Sequence, residues 1–257
     1  LCDRRQRQMC IRDRFGTGSK NEDYAYSGLN KLLDNLLIVC DGVGSCRGSD
    51  MAAEIVSKTF IKSFLNQEYL LTSSINEWFE TNILKAKAAM KEHVLKFNDD
   101  LQMCTTLVLT LTVEDNVHVF WIGDSRAYLI TKKGIEMISE DHNLLNYLIS
   151  IDASKDEIEK QGPNIYSLTN CITISTSEKQ KYDYVTFKIK KNSFIFLASD
   201  GFYNWYGADN FNQLYDVLSA LDGDTNTENI SNNLVSTAMI RKSNDNISFS
   251  CLGFLKK

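Results

Sequence analysis

Three strand-like passages follow one another in the middle of the chain with very short connections between them. They cover residues 105–113, 117–122 and 126–131, and the first two are joined by the turn Glu114-Asp115-Asn116. Parallel strands need a long crossover connection, so consecutive strands joined this closely must pair antiparallel. The chain is therefore expected to be built on antiparallel sheet.

Helical and strand-like passages on either side of this region predict a layered α+β fold. Apolar residues recur at helical spacing from Ser49 and from Ser74. Two sheets packed face to face, with helices outside, would bury the strands and one side of each helix. The predicted fold is a four-layer α-β-β-α sandwich of two antiparallel sheets flanked by helix pairs. The remaining helices are expected near 209–221 and 227–241, and the remaining strands at 36–40, 184–189, 193–199 and 247–254.

Length and composition indicate one domain, over residues 15–257, preceded by a leader. Residues 1–14 hold five arginines and almost no apolar pattern, which predicts a disordered or non-native segment. Residues 143–167 are polar and irregular and include the turn signal Gly162-Pro163-Asn164. We expect this stretch to be a surface insertion, called the flap below.

Charge and cysteine usage narrow the function classes. The net charge of -5 offers no electrostatic attraction for nucleic acid or anionic membranes. The seven cysteines include no CxxC pair, which predicts reduced thiols in a cytoplasmic protein. The protein is expected to be a monomer. Cys46 is either a redox-sensitive thiol or an inert small residue, and the second interpretation is favoured.

Carboxylates stand at or near the ends of several predicted strands. Taken singly, each Asp-Gly or Asp-Asn pair is an ordinary turn signal. Brought together, such carboxylates would form a pocket for hard divalent cations, which prefer oxygen ligands. Two ions bridged by one carboxylate would lower the pKa of a shared water and clamp a phosphoryl group. The residues concerned are Glu22, Asp23, Asp41 before Gly42, Asp124, Asp200 before Gly201, and Asp245 before Asn246.

The order of these motifs resembles that of the metal-dependent protein phosphatases of the type 2C family, compact bacterial members in particular. The resemblance extends over about residues 15–254, almost the whole chain. The matching segments are Asn21-Glu22-Asp23, Asp41-Gly42-Val43-Gly44, Thr105-Thr106-Leu107, Ile122-Gly123-Asp124-Ser125-Arg126, Glu140-Asp141-His142, Ser199-Asp200-Gly201 and Asp245-Asn246.

The resemblance implies hydrolysis of phosphoserine and phosphothreonine on proteins by a water activated between two Mn²⁺ or Mg²⁺ ions. The implied substrate is a phosphorylated protein, either a kinase or a kinase target, and the flap would touch it. Asp41, Asp200 and Asp245 are the implied catalytic residues. The implied metal ligands are Glu22, Asp41, the carbonyl of Gly42, Asp200 and Asp245, with Asp124 for a possible third ion, while Asp23 and Asn246 would support them from behind.

One position departs from the family pattern and leaves alternatives open. The Arg that would grip the substrate phosphate is replaced by Gly18, and Lys20 is predicted to take its place as a point charge. Arg12 or Arg14 could also serve. A weakened grip on phosphate would fit a second hypothesis, a catalytically weak domain that acts as a regulatory or partner-binding module. A phosphatase for a small phosphorylated metabolite is a third.

Overall fold

The computed structural model describes residues 7–12, 20–67, 74–97, 101–174, 179–219, 227–241, 243 and 245–254. The strands, in chain order, are β1 Arg7–Arg12, β2 Asp23–Leu29, β3 Asn35–Asp41, β4 Cys104–Thr105, β5 Leu107–Val113, β6 Asn116–Ile122, β7 Arg126–Thr131, β8 Gly134–Met137, β9 Ile172–Thr173, β10 Asp183–Lys188, β11 Ser193–Ala198 and β12 Phe249–Phe254. The helices are α1 Ser49–Leu65, α2 Ile75–Phe97, α3 Leu144–Ser150, α4 Lys155–Glu159, α5 Asp200–Tyr206, α6 Ala208–Ser219 and α7 Thr227–Ile240, with a 3₁₀ turn at Gly162–Tyr166.

The strands form two five-stranded antiparallel sheets and one short ladder within the described ranges. The first sheet has the order β1-β12-β11-β7-β8 and the second the order β10-β6-β5-β3-β2, while β4 pairs with β9. Every strand pair in the three sheets is antiparallel. The prediction of an α+β fold with two antiparallel sheets is confirmed.

Alternate residues of the central strands enter different apolar cores. In β3, Leu37 and Val39 pack between the two sheets, whereas Leu36 and Ile38 pack under α1 and α2. A strand points successive side chains to opposite faces, so a strand covered on both faces is apolar throughout. This explains why β3 is a continuous apolar run in the sequence.

The second sheet-to-helix core lies on the far side of the molecule. Phe194 and Phe196 of β11 pack with Phe202 of α5, with Leu214 of α6 and with Leu234 of α7. Helices therefore cover the outer face of each sheet. None of the helices in the described ranges combines the length and the apolar character needed to cross a membrane.

The structure has one strand within the segment predicted as a disordered or non-native leader. Residues Arg7–Arg12 form β1, antiparallel to β12 at the edge of the first sheet, and the boundary of the domain stays a prediction. The prediction rested on arginine content, whereas strand pairing uses backbone groups that every residue except proline carries. The rest of the predicted leader lies outside the described residues.

Two other local features differ from the sequence expectations. The expected strand 105–113 is divided at Thr106, between β4 and β5. Helix α5 was not predicted, because Asp200-Gly201 was interpreted as a turn or a ligand motif and not as the start of a helix. The predicted flap, residues 143–167, contains α3, α4 and the 3₁₀ turn.

Candidate active site

Asp41 stands at the last position of β3, where the strand leaves the sheet. Its backbone N–H donates to Thr106 Oγ1 at 3.0 Å, and its carbonyl accepts from Thr106 N at 2.8 Å and from Thr105 Oγ1 at 3.0 Å. Asp23 of β2 lies directly opposite Asp41 in the ladder. At the break between β4 and β5, the two threonines therefore hydrogen-bond with the Asp41 backbone.

Gly42 follows in a place where no side chain fits. A Cβ at this position would lie 2.7 Å from the carbonyl oxygens of both Glu22 and Ser49. The Gly42 N–H donates to Glu22 O at 3.0 Å, which ties the loop after β3 to the segment before β2. Glycine is required here by close packing of backbone against backbone.

Asp200 and Asp245 are brought together by an equally close contact. A Cβ on Gly201 would lie 1.9 Å from the carbonyl oxygen of Asn246, so α5 begins directly against the segment before β12. Asn246 donates from its backbone N–H to Asp245 Oδ1 at 2.8 Å, and its Oδ1 accepts from Glu22 N at 2.9 Å. Asn246 thus contacts both Asp245 and the Glu22 segment.

Asp124 lies in the tight connection between β6 and β7. Tyr203 of α5 donates from its hydroxyl to the Asp124 carbonyl at 3.1 Å, and Ser125 Oγ lies 2.7 Å from Thr106 Oγ1. The next residue, Arg126, makes a two-pronged pair with Asp141 at 2.9 and 2.7 Å and stacks 3.8 Å above the Tyr203 ring. These contacts fix the Asp124 loop against α5.

Four of these carboxylates, Asp23, Asp41, Asp124 and Asp200, have a raised pKa, and burial is the largest cause for each. Burial raises the pKa of Asp41 well above its usual value, and the charges of Asp23, Asp200, Asp124 and Asp245 raise it further. Burial followed by the charge of Asp245 raises the pKa of Asp200. Burial raises the pKa of Asp23 and of Asp124 to about 7 in each case. Carboxylates this close repel one another when they are charged. A bound divalent cation would compensate that repulsion.

The carboxylates lie against one another. Asp23 lies directly opposite Asp41 in the ladder of β2 and β3, and Asp200 is close enough to Asp41 for its charge to add to the effect of burial on the Asp41 pKa. In the described part of the chain, no group of three or more His, Cys, Asp or Glu side chains is arranged so that it could hold a metal ion. The donor atoms are nonetheless the kind that Mg²⁺ and Mn²⁺ prefer, because all of them are oxygens. The residues therefore fit a divalent cation by chemistry and by excess negative charge.

Two predicted residues lie at the border of this cluster. Glu22 accepts a 2.5 Å hydrogen bond from Ser49 Oγ at the start of α1. Lys20 is not brought to the carboxylates: its side chain is 70% exposed, and its Nζ lies 3.3 Å from Asp50. Lys20, Glu22 and Arg47 line one cavity of about 540 Å³. Gly18, Arg12 and Arg14 cannot be compared, since the side chains at these positions lie outside the described residues.

Sequence reasoning missed the supporting role of Arg126, although this residue belongs to the Gly123–Arg126 motif that it singled out. His142 also contacts the Asp124 loop. His142 Nδ1 accepts from the Gly123 N–H at 3.1 Å, and Nε2 lies 3.0 Å from Asp183 Oδ2. The sequence signal for Arg126 was its place in the Gly123–Arg126 motif, whose residues all belong to or contact the Asp124 loop.

Comparison with known proteins assigns the chain to a class. The sequence model of the protein phosphatase 2C family matches residues 12–235. The chain belongs to the protein phosphatase 2C family.

Similar proteins come from several bacteria. A Mycoplasma pneumoniae protein provisionally named as a protein phosphatase is 30% identical over 239 residues, which span 91% of this chain and 90% of that protein. A serine/threonine phosphatase of Listeria monocytogenes is 28% identical over 198 residues, or 75% of this chain and 76% of that protein.

Solved structures show the same fold. A serine/threonine phosphatase of S. agalactiae superimposes with a TM-score of 0.79 at 20% identity, over 96% of this chain and 99% of that chain. The serine/threonine phosphatase of Staphylococcus aureus gives a TM-score of 0.76 at 24% identity, over 97% of this chain and 96% of that chain.

Proposed function

We propose that this protein hydrolyses phosphoserine and phosphothreonine esters on proteins in a reaction that depends on Mn²⁺ or Mg²⁺. The observation that carries the proposal is the convergence of Asp124, Asp200 and Asp245, from three separate segments, on Asp41 at the end of β3. Membership of the protein phosphatase 2C family and the names of the relatives support the reaction class.

Asp41, Asp200 and Asp245 would hold two core cations, together with the carbonyl of Gly42. Such ions supply an activated water and neutralise the charge of the phosphoryl group. Glu22, fixed by Ser49, stands at the border of the cluster, where it can contribute through a water. Asp124, coupled to Asp200, would serve a third ion.

Asp23 and Asn246 would orient these ligands. Asp23 accepts from Ser199 Oγ at 2.9 Å and lies opposite Asp41 in the ladder, so it would orient the Asp41 carboxylate from the neighbouring strand. Asn246 does the same for Asp245 through its backbone N–H. Groups that orient ligands in this way are worth large factors in metal affinity.

The substrate phosphate would be bound in the cavity beside Glu22. Lys20 and Arg47 both line it, and they supply two positive charges at its wall. Arg47 adds the planar donor fork that Lys20 lacks, which suits it to a phosphate. Removal of both charges should therefore raise KM for a phosphopeptide more than removal of either one.

The flap would form one wall of the protein-binding surface. Its helix α3 presents Tyr147 and Ile149, both more than half exposed. Next to it, a cavity of about 650 Å³ is lined by Asp141 and His142, which hold the Asp124 loop. A protein substrate that contacts these apolar side chains would lie beside the carboxylate cluster.

The test is hydrolysis of a phosphothreonine peptide in Mn²⁺, in Mg²⁺ and in EDTA. The wild type should release phosphate only with a cation, and Asp200→Asn should reduce the rate at least about 100-fold. Asp216→Asn, the same change on the exposed side of α6, is the matched control and should keep the wild-type rate. A wild type that binds the cation and releases no phosphate would instead favour the regulatory module.

A further inference from the structure

Three cysteines from separate parts of the chain meet beside the candidate active site. Cys46 lies in the turn after β3, Cys104 in β4, and Cys171 directly before β9. Cys104 is the neighbour of both other thiols, since it affects the pKa of Cys46 and the pKa of Cys171. All three are half-buried and free, in contrast to the fully buried Cys40 and Cys251. We call this group the thiol cluster.

The register of the β4–β9 ladder places two of these thiols together. Cys104 pairs with Thr173, and Thr105 pairs with Ile172. Because side chains alternate along a strand, Cys171 lies on the same face as Thr173 and is the diagonal neighbour of Cys104. The proximity of these two side chains is thus a consequence of backbone pairing.

The two thiols of this pair differ in reactivity. The hydrogen bond from Cys104 lowers the pKa of Cys171, and the nearby Lys87 ammonium lowers it further, against the opposing effect of burial. The same hydrogen bond, followed by burial, raises the pKa of Cys104. Since the thiolate is the nucleophile, Cys171 is the thiol that reacts first and Cys104 is the one that follows.

Strand β4 is also the element that holds the Asp41 loop. The Cys104 carbonyl accepts from Val43 N at 3.0 Å, and the two residues after Cys104 bind the Asp41 backbone. A disulfide requires its sulfur atoms to close to about 2.05 Å, well inside hydrogen-bond distance. Bond formation would therefore pull β4 towards Cys171 and disturb the backbone that positions Asp41.

We propose that Cys104 and Cys171 form a reversible disulfide that weakens the active site, a regulation that rests on the proposed phosphatase function. The Cys171 thiolate attacks a hydroperoxide, gains one oxygen as a sulfenic acid, and releases hydroxide or an alkoxide. The Cys104 sulfur then attacks the Cys171 sulfur, the S–O bond breaks, and the oxygen leaves as water with the Cys104 proton. Two electrons pass from the thiol pair to the hydroperoxide.

The experiment oxidises the reduced full chain with hydrogen peroxide in EDTA, then alkylates free thiols with N-ethylmaleimide and maps the peptides by mass spectrometry. The wild type should give the Cys104–Cys171 link, which Cys171→Ser abolishes and Cys46→Ser retains. Oxidation should lower the wild-type rate on a phosphothreonine peptide about 10- to 100-fold, as expected for a small misplacement of a catalytic group. Dithiothreitol should restore the rate, and Cys171→Ser should resist peroxide.

The proposal is overturned if both thiols remain alkylated after peroxide, if Cys104 links to Cys46, or if the link forms without a change in rate. A reduced wild type that lacks phosphatase activity would contradict the proposed function alone. The disulfide would then be judged by calorimetry with Mn²⁺: weaker binding in the oxidised wild type and unchanged binding in peroxide-treated Cys171→Ser support it, and equal affinities in oxidised and reduced wild type overturn it.

Discussion

Single residues set the geometry of the carboxylate cluster through very close backbone contacts. Gly201 is the sharpest case, because a Cβ there would overlap the carbonyl oxygen of Asn246, and that residue in turn holds Asp245 and Glu22. The overlapping atom belongs to backbone, so it cannot move aside as the end of a flexible side chain can.

We predict that Gly201→Ala lowers the free energy of unfolding by about 1–3 kcal/mol, the usual cost of forcing an extra methyl into packed structure. Gly44→Ala is the control, since its Cβ would meet only Glu22 Oε2, at an ordinary 3.5 Å. That variant should stay within about 0.5 kcal/mol of wild type. Urea unfolding measures both, and equal losses would contradict the packing argument.

His118 is a second residue with a specific consequence, here in the pH dependence of stability. Burial lowers its pKa from 6.5 to about 4. Above pH 6.5 the imidazole is neutral in both folded and unfolded states. Between pH 6.5 and 4 the unfolded chain takes up a proton that the folded protein does not, so stability falls as the pH falls.

His118→Gln should flatten this part of the profile by up to about 1.4 kcal/mol per pH unit. The measurement is the free energy of unfolding in urea at pH 7, 6 and 5, for wild type and variant. Parallel profiles over that range would show that His118 titrates normally in the folded protein.

At the scale of helices and strands, periodicity was a good guide wherever an element is covered by the core. Strand Arg126–Thr131 was predicted with its observed bounds, and α6 and α7 were placed to within two residues. Two elements that are not defined by an apolar pattern were not predicted. Strand β1 is defined by pairing with β12, and α5 is a short helix that starts on Asp200 itself.

The Arg126–Asp141 pair joins the start of β7 to the segment that leads into the flap. Both side chains are largely shielded, with exposed fractions of 28% and 8%. We predict that Asp141→Asn lowers the free energy of unfolding by about 1–3 kcal/mol, because it replaces a charge-assisted double hydrogen bond. Glu136→Gln, which breaks the exposed 3.9 Å pair with Lys190, should cost less than about 1 kcal/mol. Equal effects of the two changes would contradict a structural role for the buried pair.

For the molecule as a whole, the order of the motifs predicted the family and the fold, and both are confirmed. Spacing alone indicated that the carboxylates would converge. It could not indicate that Lys20 pairs with Asp50 instead of facing them, because that contact depends on where α1 begins. The assignment of metal ligands, the monomeric state and the cytoplasmic location stay predictions.

Cation binding should also stabilise the entire fold, since a ligand that binds only the folded state adds about 2.7 kcal/mol at 100 times its Kd. We expect Mn²⁺ to raise the melting temperature of the wild type and EDTA to reverse the shift. Asp245→Asn should shrink the shift, whereas Asp216→Asn should leave it unchanged. Equal shifts in all three proteins would place the cation elsewhere.

We propose that carboxylates from distant segments form one cation site centred on Asp41, whose pKa is raised by burial and then by the charges of Asp23, Asp200, Asp124 and Asp245. Calorimetric titration of Mn²⁺ into wild type and Asp41→Asn tests it most directly. The account predicts about two tightly bound ions in the wild type and loss of this tight binding in the variant. The same number of ions bound with the same affinity in both proteins would contradict it.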